Sequence, residues 1–126
     1  MIQISAEQVK KLHKEIIGNT GGSYGIRDEG LLEAALAGAL QTFGGIDLYP
    51  TTTAKIARIA YGIIRNHPFV DGNQRTGVHV MMVLLKLNNI NAAFTNDEVV
   101  KIGLEVANGE MNDSRLNDII IAKRIG

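Results

Sequence analysis

The chain has 126 residues, of which 45% are hydrophobic and 21% charged, a balance that suits one globular domain with a real core. Its 13 basic and 13 acidic side chains cancel, which argues against a sequence-independent grip on nucleic acid. Cysteine is absent, which excludes disulfides and thiolate metal sites, and the longest apolar run, Val80 to Leu85, is far too short to span a bilayer. The opening stretch MIQISAEQVKKLHKE is charged and amphipathic, without a signal-peptide core, so a soluble cytoplasmic domain with no membrane association is expected.

The pattern along the chain is helical. Ser5 and Gln8 have the spacing of a capping box, and Val9, Leu12, Ile16 and Ile17 then share one face. GNTGGSYG should end this first helix. A second helix is predicted from near Asp28 through GLLEAALAGALQ, followed by TFGGIDLYP as a loop. The third, about Thr52 to Asn66, places Ile56, Ile59, Ala60, Ile63 and Ile64 on one stripe. The fourth, about Asn73 to Leu87, contains VHVMMVLLKL, apolar almost all round, as in a helix running through the centre of a bundle. Thr95 and Glu98 form a second capping-box pattern, and Ser114 is a candidate cap for a last helix bearing Leu116, Ile119, Ile120 and Ile125. Period-two alternation is confined to short stretches near 42–50 and 89–95, where a small hairpin could form. The expectation is one all-α domain over residues 1–126, of about six helices.

Between the third and fourth helices lies HPFVDGNQR, residues 67 to 75. A helix N-terminus offers free N–H groups and the positive end of the macrodipole. Gly72 clears a side chain where a phosphate would approach, Asn73 can offer an amide, and Arg75 in the first turn suits a bound anion. Asp71 is a hard oxygen ligand beside that cradle, where Mg²⁺ would bridge carboxylate and phosphates. His67, four residues earlier, carries an imidazole able to take a proton from a hydroxyl. Pro68 restrains the bend and disfavours helix at His67, and Phe69 should anchor the loop in the core. Base, metal ligand and phosphate cradle are the parts for phosphoryl or nucleotidyl transfer. Each residue alone is ordinary turn chemistry. Seven fixed positions together match by chance at on the order of one in a billion per start site.

HPFVDGNQR resembles the signature of the Fic/Doc family, helical proteins that transfer part of a nucleotide to a protein hydroxyl. GIRDEGLLEAAL, TFGGIDLYP and NQRTGVHVMMVLLKLNN are similar to its death-on-curing (Doc) toxin branch. The resemblance implies His67 as general base, Asp71 as Mg²⁺ ligand, and Gly72, Asn73, Gln74 and Arg75 around the phosphates of ATP or another nucleoside triphosphate. Position 74 is a glycine in the adenylylating branch and usually a lysine in the Doc branch; here it is Gln74. Val78 stands where the adenylylating branch has a second arginine. Both departures lean away from AMP transfer. The resemblance to Doc then implies an inverted nucleotide and phosphorylation of a target protein, with elongation factor Tu, modified on a threonine, as the implied target. The alternatives are Fic-type AMP transfer and a catalytically silent binding module.

Self-restraining family members carry a Ser/Thr-x-x-x-Glu-Gly/Asn helix. Here Glu29-Gly30 is preceded by Gly25 where the hydroxyl should be, so an antitoxin acting in trans is implied. Arg65 is a secondary candidate for phosphate or target, with a solvated helix end as the alternative. His13 and His79 fit helix-surface or core-edge positions better than ligand roles, Met81 and Met82 fit core packing, and TFGGIDLYP is either a target-holding flap or a plain connection.

Overall fold

The computed structural model describes residues 1–126 as six α-helices with one small hairpin. Helix α1 (Ala6–Thr20) begins at Ser5, and the Ser5–Gln8 capping box is formed. It runs through Gly18 and Asn19, past the expected end. Thr20 Oγ1 donates to the Ile16 carbonyl at 2.7 Å, and the first left-handed residue is Gly21. Asp28 caps α2 (Glu29–Ala37), which tightens into a 3-10 turn over Gly38–Leu40. Two-residue strands β1 (Thr42–Phe43) and β2 (Ile46–Asp47) then pair antiparallel, with Phe43 opposite Ile46. They are joined by Gly44-Gly45, a two-residue connection with both φ values positive that matches strand twist. Of the two stretches with hairpin potential this one forms. In the other, Ala92 instead pairs with Arg124 near the chain's end.

Helix α3 (Thr52–Asn66) and helix α4 (Asn73–Leu87) have the expected bounds. Ile56, Ile59, Ala60, Ile63 and Ile64 are fully buried, each large side chain contributing roughly 1.5–3 kcal/mol before entropy is counted. Val80, Met81 and Leu84 of α4 are as deeply buried, Met82 packs against the core and His79 faces solvent. α4 is thus the buried helix expected after the loop, but it shares the centre with α3, which touches α2, α5 (Asn96–Ala107) and α6 (Asp113–Lys123) as well. The two central helices approach closely at Gly77, where a Cβ would lie 2.5 Å from Ile64 Cγ1. Any larger residue would push α4, and with it the preceding loop, off α3.

Thr95 and Glu98 form the second capping box, at the start of α5. α6 is capped by Asn112 rather than Ser114: Asn112 Oδ1 accepts the Arg115 N–H at 2.8 Å, and Ser114 lies inside the first turn. An asparagine two residues upstream already meets the capping requirement, so the serine is helical. Leu116 and Ile120 are buried, while Ile125 lies beyond the helix and is exposed. No helix is long and apolar enough to cross a membrane.

Glu98 also reaches the Lys123 ammonium at the end of α6, and that pair, followed by the Thr95 N–H, lowers its carboxyl from 4.5 to about 2. The stabilisation from Glu98 is therefore present above its ordinary titration range and is lost as pH falls from about 4.5 towards about 2. Glu98→Gln keeps the cap acceptor and removes the charge. Thermal unfolding of wild type and variant should differ at neutral pH and converge as the pH approaches 2; a difference constant across that range would show that the carboxylate is not the cause.

Candidate active site

α3 stops where Pro68 follows, because the ring removes a donor and disfavours helical geometry in the residue before it. His67, the residue before it, sits not in the extended region that a following proline favours but in the left-handed region at φ 49, ψ 57, a conformation that costs a non-glycine residue about 1–2 kcal/mol. The next residue but one returns to the core. Phe69 is 2% exposed, and its ring stacks on His13 with centroids 3.8 Å apart and planes 6° from parallel. Asn73 clamps the same residue from the other side, its Oδ1 accepting the Phe69 N–H at 2.9 Å and its Nδ2 donating to the Phe69 carbonyl at 3.0 Å. The Asn73 side chain thus holds the loop together instead of offering a free amide to a ligand. What remains available from Asn73 is its backbone N–H.

A second segment straps this loop. Val70 N–H donates to the Gly25 carbonyl, Ile26 pairs with Phe69, and the Arg27 and Asp28 N–H groups both donate to the Pro68 carbonyl at 2.7 and 3.0 Å. Arg27 adds its guanidinium, Nε donating to the His67 carbonyl at 2.7 Å and Nη2 to the Asn66 carbonyl at 2.8 Å. From α1, His13 Nε2 lies 2.7 Å from the Asp71 carbonyl. A carbonyl can only accept, so that nitrogen bears the proton. His13 is therefore buried beneath the loop as a support, within the core-edge role expected of it.

Asp71 presents a half-exposed carboxylate. Its Oδ2 accepts the Ser23 N–H at 3.2 Å and its Oδ1 the Gly72 N–H at 2.8 Å, and these two bonds, in that order, hold its pKa below the usual carboxylate range, with Arg75 adding a smaller attraction. Gly72 is the N-cap of α4 at φ 75, a backbone angle that favours glycine, and a Cβ there would lie 2.9 Å from Ile17 Cδ1, which would have to move aside. Among the six α-helices, α4 alone has no side-chain cap. Its first intrahelical bond is Thr76 N–H to the Gly72 carbonyl, leaving the N–H groups of Asn73, Gln74 and Arg75 without helical acceptors. Arg75 turns towards the end of α1, where it binds Thr20 Oγ1 and the Gly21 carbonyl. Arg65 donates to the Ala107 carbonyl at 3.0 Å, so it caps the end of α5 while remaining exposed.

These pieces converge on one open cleft of about 880 Å³. His67, Asp71, Gly72, Asn73, Gln74 and Arg75 all line it, as does Arg65. The hairpin residues do not. Arg27, also on its wall, was not singled out by sequence patterns, and neither was the supporting role of His13. Both act across more than 35 residues of chain, and only the arginine left a trace, as a basic residue just before the α2 cap. The donor set suits a divalent cation that takes most of its ligands from elsewhere. Asp71 supplies one ionised oxygen donor, and no group of three or more His, Cys, Asp or Glu exists to cage a metal.

Residues 3–85 match the family model described as the Fic/DOC family. The chain belongs to the Fic/DOC family. Within it, the chain is 38% identical over 89 residues to Toxin Doc of Mycolicibacterium smegmatis, covering 69% of this chain and 68% of that protein. It is 28% identical over 120 residues to Protein kinase doc of Escherichia phage P1, covering 95% and 94%. The segment matched to the Fic/DOC family includes the whole cleft-lining loop and most of α4.

The left-handed angle at His67 yields a stability test independent of chemistry. His67→Gly and His67→Ala both remove the ring, but only alanine retains the steric conflict. Denaturant unfolding should show the glycine variant more stable by on the order of 1 kcal/mol. Equal stabilities would mean that the turn relaxes once the ring is gone.

Proposed function

We propose that the chain is a Doc-like toxin that transfers the γ-phosphate of a nucleoside triphosphate to a hydroxyl of a target protein. The observation that carries this reading is the convergence of an exposed imidazole, an ionised carboxylate and an uncapped helix N-terminus on a single cleft. The names of the two relatives, a toxin and a protein kinase, support the same choice.

His67 takes the proton of the target hydroxyl as that oxygen bonds to the γ-phosphorus. The bond from this phosphorus to the β–γ bridging oxygen breaks, and the nucleoside diphosphate leaves. The backbone N–H groups at the start of α4 and the Arg75 guanidinium hold phosphate oxygens, with Gly72 allowing close approach. Asp71 would hold Mg²⁺, which would offset phosphate charge. Gln74 fills space in the cradle where the adenylylating branch has only glycine, which favours γ- over α-phosphate transfer; unlike the lysine of Doc it adds no charge. AMP transfer by the same base is the second reading, favoured only by the uncharged character of Gln74.

The proposed target is elongation factor Tu. Inhibition is proposed to come from a small antitoxin whose C-terminal segment lies over the cleft.

ATP labelled at the α- or the γ-phosphate, incubated with Mg²⁺, a bacterial lysate and purified elongation factor Tu, tests the reading. Label should pass to protein from the γ-position alone, and His67→Ala should lower the rate on the order of 10²–10⁴-fold while remaining folded. Transfer from the α-position would establish the AMP reading instead. A folded His67→Ala variant with undiminished transfer would sink the general-base assignment.

A further inference from the structure

The His67 ring can act only where its backbone aims it, and that backbone is in a conformation a histidine does not favour by itself. Two torsions fix the direction of a Cα–Cβ bond, and they are set by the two peptide planes that flank the residue. The plane before His67 carries the Asn66 carbonyl and the plane after it the His67 carbonyl. One guanidinium, that of Arg27, donates to both, at 2.8 and 2.7 Å.

We propose that Arg27 is the positioning residue for His67: its planar fork clamps both flanking peptide planes and so sets the left-handed turn that aims the imidazole into the cleft. The role suits arginine specifically. Two carbonyls on consecutive residues require two divergent donors in a fixed plane, and an ammonium on a flexible stem supplies donors without that geometry. The positive charge also lies at the C-terminal end of α3, where the macrodipole is negative and where Arg65 is turned away to Ala107. Arg27 itself is held from behind, because its own N–H and that of Asp28 donate to the Pro68 carbonyl. These backbone bonds do not involve the side chain, so the strap persists when the guanidinium is removed and only the aim of His67 is released.

The proposal rests on His67 being the general base, and the experiment separates the two. Arg27→Gln and Arg27→Lys are compared with wild type and His67→Ala for transfer kinetics and for the carbon–proton NMR signals of the three imidazoles. His79, on the exposed side of α4, serves as internal reference. In Arg27→Gln the His67 signals should shift and broaden with those of His79 unchanged. kcat should fall about tenfold or more while KM for ATP changes less than about twofold. Arg27→Lys should recover part of both effects, and it serves alone if the glutamine variant does not fold. Unaltered His67 signals and kcat in folded variants would overturn the proposal, as would a raised KM at constant kcat, which would make Arg27 a phosphate contact. Should His67→Ala retain activity, the base assignment fails, but the ring signals still decide whether Arg27 holds that residue.

Discussion

Phe69 is the point on which the loop turns. Its ring is buried against His13, and both of its backbone polar groups are taken by the Asn73 side chain, so it can shift only by opening a cavity and breaking two hydrogen bonds at once. Removing such a ring from a core costs roughly 3–5 kcal/mol, a large part of the stability of a small domain. With Phe69 fixed, the residues on either side of it are constrained. His67 lies two positions before and Asp71 two positions after, so their spacing is set by a short stretch of chain whose midpoint cannot move. The apolar core thereby places polar chemistry that it does not itself contain.

The rest of the fold keeps that midpoint rigid. α3 and α4 enter and leave the loop from the centre of the bundle, meeting closely where Gly77 faces Ile64. Around this pair, α2 and α6 lie against α3, α1 lies against α4, and α5 touches both. Charge plays a smaller part. The ion pairs are exposed or only partly buried, and the more informative polar contacts are those that end helices: Ser5, Asp28, Thr51, Thr95 and Asn112 each cap a helix start. The one helix start left without such a cap is the one lining the cleft. A capping side chain there would occupy the space that an anion could use.

Much of this was legible from residue order. Helical periodicity and caps are local signals, and they located α3 and α4 correctly and both capping boxes. The motif showed which side chains share the cleft, because they occur within nine residues and one bend. Two kinds of information were not local. The first is competition between neighbouring candidates: Asn112 and Ser114 can each cap α6, and the chain takes the earlier one. The second is pairing at long range. Nothing in GIRD indicates that its backbone lies along residues 68–70, and nothing in the first helix indicates that His13 ends beneath Asp71. The same blindness applies to Asn73, whose amide looks available in the motif and is consumed by Phe69 in the fold.

The grip of Arg75 on Thr20 and the Gly21 carbonyl has a consequence for how any anion would be received. The guanidinium already has partners, as does the Asp71 carboxylate through Ser23. Entry of a phosphate would therefore be an exchange reaction within the protein rather than the filling of a prepared socket, and the heat released on binding would be the difference between bonds made and bonds given up. It would also couple the end of α1 to the ligand, since the partners of Arg75 and Asp71 outside the loop itself lie in the short stretch from Thr20 to Ser23.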